Sequence, residues 1–157
     1  MAKSRPRNGT SIPDLTPRLD VKVEVTPVAI LRQQATYLEQ HTGGLIVVDV
    51  QTSQDPVAAL PPPEVGRSAP LSGTPVPRVS HQFVLIAPLL NNYRYTLLVA
   101  RHSLIAWYPV VLQLSSGAET TADTQKQFEE QLRKALGSDH ALAVLTSLIQ
   151  QSTGQTA

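Results

Sequence analysis

A chain of 157 residues, of which 41% are hydrophobic, has the length and composition of a single globular domain. Thirteen Lys and Arg residues nearly balance twelve Asp and Glu residues, so the net charge of +1 does not favour a polyanion as the partner of the whole surface. The absence of cysteine excludes disulfides, thiolate zinc sites and cysteine nucleophiles, and it fits a reducing cytoplasm.

Residues 1–20 contain three prolines among Ser, Thr, Asn and Arg, without hydrophobic periodicity, and are predicted to form a disordered arm. Five basic against two acidic side chains give residues 1–22 a net charge of +3. Such an arm can dock on a polyanion, although it is also typical of a solubilising tail. Residues 21–25 alternate apolar and charged side chains, which fits either a short edge strand or the lead-in to a helix.

A first helix is predicted to begin at Thr26 and Pro27, because a hydroxyl can cap the helix and proline lacks only an N–H that the first turn does not use. Apolar residues then recur at helical spacing, at Val28, Leu31, Ala35 and Leu38. The helix is expected to end at Gly43 and Gly44, since glycine readily adopts the left-handed conformation of a helix end.

A strand rich in branched residues is predicted at 45–51, and a proline-rich loop follows at 52–78. Seven prolines fall within that loop, and each removes a backbone donor, so we expect it to be disordered. Its proline runs could serve as ligands for another protein, but an inert spacer is the favoured interpretation.

Three further strands are predicted at about 79–87, 93–101 and 104–114. Pro88 and Asn91–Asn92 mark the first turn between them, and His102–Ser103 marks the second. A helix at about 121–136 ends at Gly137, and Ser138 or Asp139 caps a last helix, which gives way to a polar tail from Ser152.

These elements predict an α+β fold, with a small, mainly antiparallel four-stranded sheet packed with one N-terminal helix and two C-terminal helices. The predicted domain covers residues 21–152 and is interrupted by the loop 52–78, with a flexible tail at 153–157. No signal-peptide pattern opens the chain, and its longest nearly apolar stretch, 104–112, is about half as long as a membrane-spanning helix. We therefore expect a cytoplasmic protein with no membrane partner.

The two tight turns suggest a strand register, in which Ala87 lies opposite Tyr93 and the 101–104 connection is a hairpin. This register places five side chains on a core face: Phe83, Leu85, Tyr95, Leu97 and Tyr108. The opposite face is predicted as a candidate interaction surface that includes Val84, Ile86, Arg94, Leu98, Ile105, Trp107 and Val111. Because this face is unusually apolar for a solvated sheet, either helices cover both faces or this side meets another chain, a second copy included.

The sequence contains no glycine-rich phosphate loop, no nucleophile elbow and no histidine pair at metal-ligand spacing, so we expect no cofactor and no metal. The favoured function is therefore a non-enzymatic interaction module that binds another protein or itself. One alternative is a small enzyme whose site lies around His81, His102 and Asp49, with Arg101 nearby. Another, less favoured, is weak nucleic-acid binding through the basic arm.

Overall fold

The computed structural model of the protein describes residues 25–55 and 77–154. The predicted basic arm, most of the predicted proline-rich loop and the last three residues lie outside the described residues. The elements are, in chain order, α1 (Pro27–His41), β1 (Val47–Gln54), β2 (Arg78–Ala87), a short 3-10 turn (Pro88–Leu90), β3 (Tyr93–Ser103), β4 (Val110–Leu114), β5 (Glu119–Ala122), α2 (Gln125–Leu136) and α3 (Asp139–Gly154).

The strands form one antiparallel sheet in the order β1-β2-β3-β4-β5, so each strand pairs with its neighbour in sequence. The α+β prediction is confirmed, but the prediction of a four-stranded sheet is wrong, because the described sheet has five strands. The strand that was missed, β5, carries the polar sequence Glu-Thr-Thr-Ala, and its pairing with β4 rather than any hydrophobic alternation makes it a strand.

The predicted strand at 104–114 is also too long, since only 110–114 pair in the sheet. Pro109 lacks the N–H that a ladder needs, and β4 begins directly after it. Three elements run past their predicted ends: β1 to Gln54, inside the predicted loop, β3 through the predicted turn at His102–Ser103, and α3 through Ser152 to Gly154. The side chain of Ser152 is completely buried, so this last turn belongs to the fold. Helix α2 begins at Gln125, later than predicted, because residues 119–122 form β5.

Helix α1 begins and ends as its sequence predicts. The Thr26 hydroxyl accepts a hydrogen bond from the Ala29 N–H at 3.2 Å, and Pro27 occupies the first turn. Gly43 and Gly44 adopt left-handed conformations, with φ of 61° and 81°, and turn the chain towards β1. The Glu39 carboxylate then accepts a hydrogen bond from the Val48 N–H at 2.8 Å, which ties the helix to the first strand.

All three described helices pack on the same side of the sheet. Helix α1 lies on β1 and β2, α2 on β4 and β5, and α3 on β2 and the 3-10 turn. The buried side chains between helices and sheet form one core, in which the largest are Phe83, Phe128, Leu31, Ile46, Leu85 and Leu112. Among the helices of the described ranges, none has the length and apolar character needed to cross a membrane.

A β-bulge in β3 changes which of its side chains face the helices. The predicted pairs Ala87–Tyr93 and Leu85–Tyr95 are confirmed, but Phe83 pairs with Leu98 rather than with the predicted Leu97. One extra residue in β3 shifts the alternation, so that both leucines are buried in the core at 1% exposure.

Beyond the bulge, Leu98, Ala100 and His102 face the helices, while Val99 and Arg101 face away. The predicted register between β3 and β4 is also wrong, because residues 104–109 form a longer connection in place of the predicted hairpin at 101–104, and Ala100 pairs with Leu112. We call the side of the sheet away from the three helices the open face. Its residues are Val47, Asp49, Gln51, Ser53, Arg78, Ser80, Gln82, Val84, Ile86, Arg94, Thr96, Val99, Arg101, Ser103, Val111, Gln113, Glu119 and Thr121.

Candidate interaction surface

The structure divides the predicted interaction residues among three places. The four that lie on the open face are Val84, Ile86, Arg94 and Val111. Placing Leu98 on that face was wrong, since the β3 bulge turns it into the core. Ile105 and Trp107 do not lie in a strand at all, but in the connection between β3 and β4.

An ion pair crosses one half of the open face. The Arg94 guanidinium on β3 lies 3.0 Å from the Asp49 carboxylate on β1, so the pair spans the intervening strand β2. Val84 lies on β2 directly opposite Asp49 and is only 3% exposed, although no described helix covers it. The Gln51 amide also donates to Asp49 at 2.8 Å. The polar groups of this half thus satisfy one another across the strand that carries Val84.

The connection from Leu104 to Pro109, which we call the apolar loop, presents apolar side chains to solvent. Ile105 is 83% exposed, Leu104 is 48% exposed and Trp107 is 37% exposed. Isolated exposed apolar residues are common on protein surfaces, but a contiguous group marks a contact site much more often.

Hydrogen bonds hold the backbone of the apolar loop in place. The Leu104 N–H donates to the Pro77 carbonyl at 2.9 Å, and the Ile105 N–H donates to the Ser103 hydroxyl oxygen at 3.3 Å. At the other end of the loop, the Tyr108 hydroxyl donates to the Val25 carbonyl at 3.4 Å, next to the start of α1. The loop is therefore anchored on both sides while its apolar side chains remain exposed.

A cleft of about 300 Å³ separates the apolar loop from the open face, and we call it the arginine cleft. Its apolar wall is formed by Ile105, Pro109 and Val111, of which Val111 pairs with Arg101. Arg78 on β2 and Arg101 on β3 also line the cleft. The cleft thus combines two cations with an apolar surface.

Two histidines that sequence reasoning singled out do meet, but on the core side of the sheet. The Nε2 atoms of His81 and His102 lie 2.8 Å apart, and both side chains are buried, at 4% and 8% exposure. His81 Nδ1 lies 2.9 Å from the Thr52 hydroxyl, and His102 Nδ1 lies 2.8 Å from the Ser103 carbonyl oxygen. Every ring nitrogen of the pair therefore has a partner.

The partners determine where the protons sit when both rings are neutral. A carbonyl oxygen only accepts, so His102 carries its proton on Nδ1 and accepts at Nε2 from His81. His81 then accepts at Nδ1 from the Thr52 hydroxyl. Burial, together with the smaller effects of the neighbouring His102 and Arg32, lowers the pKa of His81 to about 4.

Asp49 and Arg101 do not join these histidines. Both lie on the open face, and the Asp49 carboxylate bonds to Arg94 and Gln51 instead. The sequence suggested one polar cluster at this end of the sheet, but the period-two alternation of the strands sends its members to opposite sides.

A second polar cluster was not anticipated from the sequence. His140 Nε2, near the start of α3, lies 2.9 Å from the Ser115 hydroxyl and 3.2 Å from the Tyr95 hydroxyl. Tyr95 of this cluster also lines a groove of about 670 Å³ between the start of β3 and α3, together with Tyr93 and Leu148. These residues are far apart in sequence, so no motif could have identified the cluster. Residues 25–55 and 77–154 contain no group of three or more His, Asp or Glu side chains that could hold a metal ion.

No protein-family model matches the chain, no curated protein matches it in sequence, and no solved structure matches it in fold.

Proposed function

We propose that the protein is a non-enzymatic interaction module that binds another protein through the apolar loop and the adjoining end of the open face. The observation that carries this proposal is the exposure of Leu104, Ile105 and Trp107 within four consecutive residues. Burying such side chains in a partner would remove apolar surface from water, at roughly 25 cal/mol for each Å². Tryptophan is also among the residues that dominate binding energy at protein interfaces.

The anchored backbone of the loop supports the same function. Since hydrogen bonds to Pro77, Ser103 and Val25 already hold the loop, binding would order few further backbone groups. A preorganised surface binds more tightly because less conformational entropy is lost on association. Next to the loop, the half-buried Val99 and Val111 extend the apolar surface onto the open face.

Charge favours a different protein over a second copy of this chain as the partner. A two-fold interface centred on the arginine cleft would bring Arg78 and Arg101 of one copy against the same arginines of the other. Like charges facing each other across an interface oppose association. A partner with acidic groups would instead complement this surface.

The histidine pair gives less support to the alternative of a small enzyme around His81 and His102. A general acid or base needs a ring nitrogen within hydrogen-bond reach of its substrate. All four ring nitrogens of the pair are engaged with Thr52, with Ser103 or with each other. The other two members of that predicted site, Asp49 and Arg101, lie on the opposite side of the sheet.

Site-specific photo-cross-linking in the native host tests the proposal directly. A benzophenone amino acid is placed at Ile105 in the full-length protein, and a matched control carries it at Leu142, an exposed leucine on α3. We expect a discrete cross-linked protein from position 105 and none of that mass from position 142. The protein identified is then purified, and its direct affinity is measured for the unmodified chain and for an Ile105→Ser variant.

The proposal stands if the purified partner binds and the Ile105→Ser substitution weakens binding by about tenfold or more, as expected for a central apolar contact. It fails if both positions give the same adducts, or if the purified candidate binds the variant as well as the original. Light scattering over a range of concentrations tests self-association, and a dimer disrupted by Ile105→Ser would replace the proposed partner with a second copy.

A further inference from the structure

We infer that the arginine cleft binds a carboxylate that its partner carries beside an apolar group, such as an acidic residue next to a leucine or a C-terminal leucine. The inference deepens the proposed function, and it rests on that function for the partner being a protein. It depends on three features of the cleft: the spacing of the two arginines, their lack of carboxylate partners in the described ranges and the apolar wall beside them.

The strand register brings the two arginines together. Arg101 on β3 pairs with Ser80 on β2, and Arg78 lies two residues from Ser80 on the same strand. Both side chains therefore project from the open face as diagonal neighbours, with Cα atoms about 7–8 Å apart. Two guanidinium groups at this spacing can both donate to the oxygens of one carboxylate between them.

Neither arginine is neutralised by a carboxylate in the described part of the chain. No ion pair or hydrogen bond of the Arg78 or Arg101 side chain is formed with residues 25–55 or 77–154. Asp55 accepts hydrogen bonds from the Ser80 hydroxyl at 3.2 and 3.3 Å, and Asp49 pairs with Arg94. The two neighbouring cations repel each other, and a bound anion would relieve that repulsion.

A further donor lies at the rim of the cleft. The Ser103 hydroxyl oxygen already accepts from the Ile105 N–H, which leaves its proton available for an incoming oxygen. His102 also borders the cleft, but its ring nitrogens are occupied by His81 and by the Ser103 carbonyl oxygen. The donors to an anion are thus the two guanidinium groups and this hydroxyl.

The apolar wall determines what kind of anion fits. Ile105, Pro109 and Val111 line the same cleft of about 300 Å³ as the arginines, and Val111 lies beside Arg101 on the neighbouring strand. This volume is at the lower end of the range for ligand sites. An apolar group on the ligand would exclude water from this wall, and the lower local dielectric would strengthen the attraction between charges. A small hydrated anion would gain no such benefit, so the cleft favours a carboxylate attached to an apolar side chain.

A matched pair of small probes tests this chemistry on the full-length protein. N-acetyl-leucine carries a carboxylate beside a leucine side chain, whereas N-acetyl-leucinamide has the same side chain and no charge. Binding is followed through the arginine Nε–H signals by NMR and through the fluorescence of Trp107, the single tryptophan. We expect saturable binding of N-acetyl-leucine, with a Kd of about 1–10 mM, and at least about tenfold weaker binding of the amide.

Arginine variants connect that binding to the cleft. Arg78→Gln and Arg101→Gln should each weaken N-acetyl-leucine binding by about tenfold, as expected for the loss of a charge-assisted hydrogen bond. Arg94→Gln removes the same charge from the same face outside the cleft and should leave binding unchanged. Because Arg78 is exposed, its substitution tests the inference even if the Arg101 variant does not fold.

Three results with the probes would overturn the inference, and a fourth comes from the cross-linked partner. Equal binding of N-acetyl-leucine and N-acetyl-leucinamide would mean that only apolar contact holds the probe. A loss of binding in Arg94→Gln as large as in the two cleft variants would mean a general effect of charge. Inorganic phosphate that binds as tightly as N-acetyl-leucine, at the same arginines, would indicate a site for a free anion. If the cross-linked partner depends on Ile105 but not on Arg78 or Arg101, the proposed function stands and this inference falls. If the probes bind at the arginines and no cross-linked protein is found, the carboxylate-binding chemistry of the cleft stands and the proposed protein partner falls.

Discussion

The two faces of the sheet differ less in their apolar residues than in what covers them. On β2, Phe83 and Leu85 point towards the helices, while Val84 and Ile86 point to the open face. The first two are completely buried against the helices. Val84 is also buried, on a face where the Arg94–Asp49 ion pair crosses its strand, and Ile86 is half-buried. A strand that is apolar on both sides therefore does not require a second layer of helices.

Directly after the β3 bulge, the neighbouring residues Leu98 and Val99 face the core and the open face respectively, so they compare the two faces. Leu98→Ala should lower the free energy of unfolding by about 3 kcal/mol, because it leaves a cavity in the core. Val99→Ala, one residue along on the open face, should cost about 1 kcal/mol or less. Urea unfolding of both variants measures the two values, and similar losses would show that the bulge does not separate the faces as described.

The histidine pair, which lies on the helix side of the sheet, should make the free energy of unfolding depend on pH. His81, which faces His102, Thr52 and Arg32, stays neutral in the folded protein until the pH approaches about 4, whereas an unfolded histidine takes up its proton near 6.5. The stabilisation is complete above pH 6.5 and is lost as the pH falls towards 4, by up to about 3 kcal/mol.

Urea unfolding at several pH values between 7 and 4 measures this loss. A His81→Gln variant should show a shallower dependence over this range, while His140→Gln, at the separate Ser115–Tyr95 cluster, serves as the matched control. Equal pH dependence in the original protein and in the His81 variant would contradict the prediction.

The ion pair over β2 should contribute much less. Asp49→Asn removes the charge that Arg94 contacts, but both side chains are about half exposed, so the expected loss of stability is about 0–1 kcal/mol. The loss should shrink further in high salt, which screens exposed charges. Thermal unfolding at low and high salt checks this, and a loss comparable to that of Leu98→Ala would mean that the pair supports the fold itself.

The smallest effect on stability is expected in the apolar loop, where the effect on binding should be large. Ile105→Ser replaces a side chain that is 83% exposed, so the free energy of unfolding should change by about 0.5 kcal/mol or less. The same variant is expected to lose binding of the partner protein. A clear drop in the unfolding midpoint would indicate that Ile105 packs within the folded chain and would remove the basis of the proposed function.

Local sequence signals predicted those features that depend on neighbouring residues. Thr26–Pro27 marked the start of α1, Gly43–Gly44 marked its end, and Asn91–Asn92 adopt the left-handed conformations of the predicted turn. The histidine pair was partly anticipated as well, because the predicted strand order placed both residues near one end of the sheet, although the register at that end was wrong.

Features that depend on pairing between strands could not be predicted in this way. The bulge has no signature in the run Thr96-Leu97-Leu98-Val99, because each of these positions fits either face of a strand. Strand β5 is too polar to show a hydrophobic alternation. The apolar loop was predicted as part of a strand, because it contains residue types that strands favour.

The sequence by itself therefore determined the fold class, the ends of α1 and the apolar content of the strands, because these follow from the preferences of adjacent residues. The tertiary structure decided the five-stranded order, the placement of Leu98 in the core and the exposure of Ile105. It also brought Arg78 and Arg101 to one cleft. The physical reason is that an extra residue in one strand reverses the alternation of all that follow, and only the partner strands determine where that residue lies.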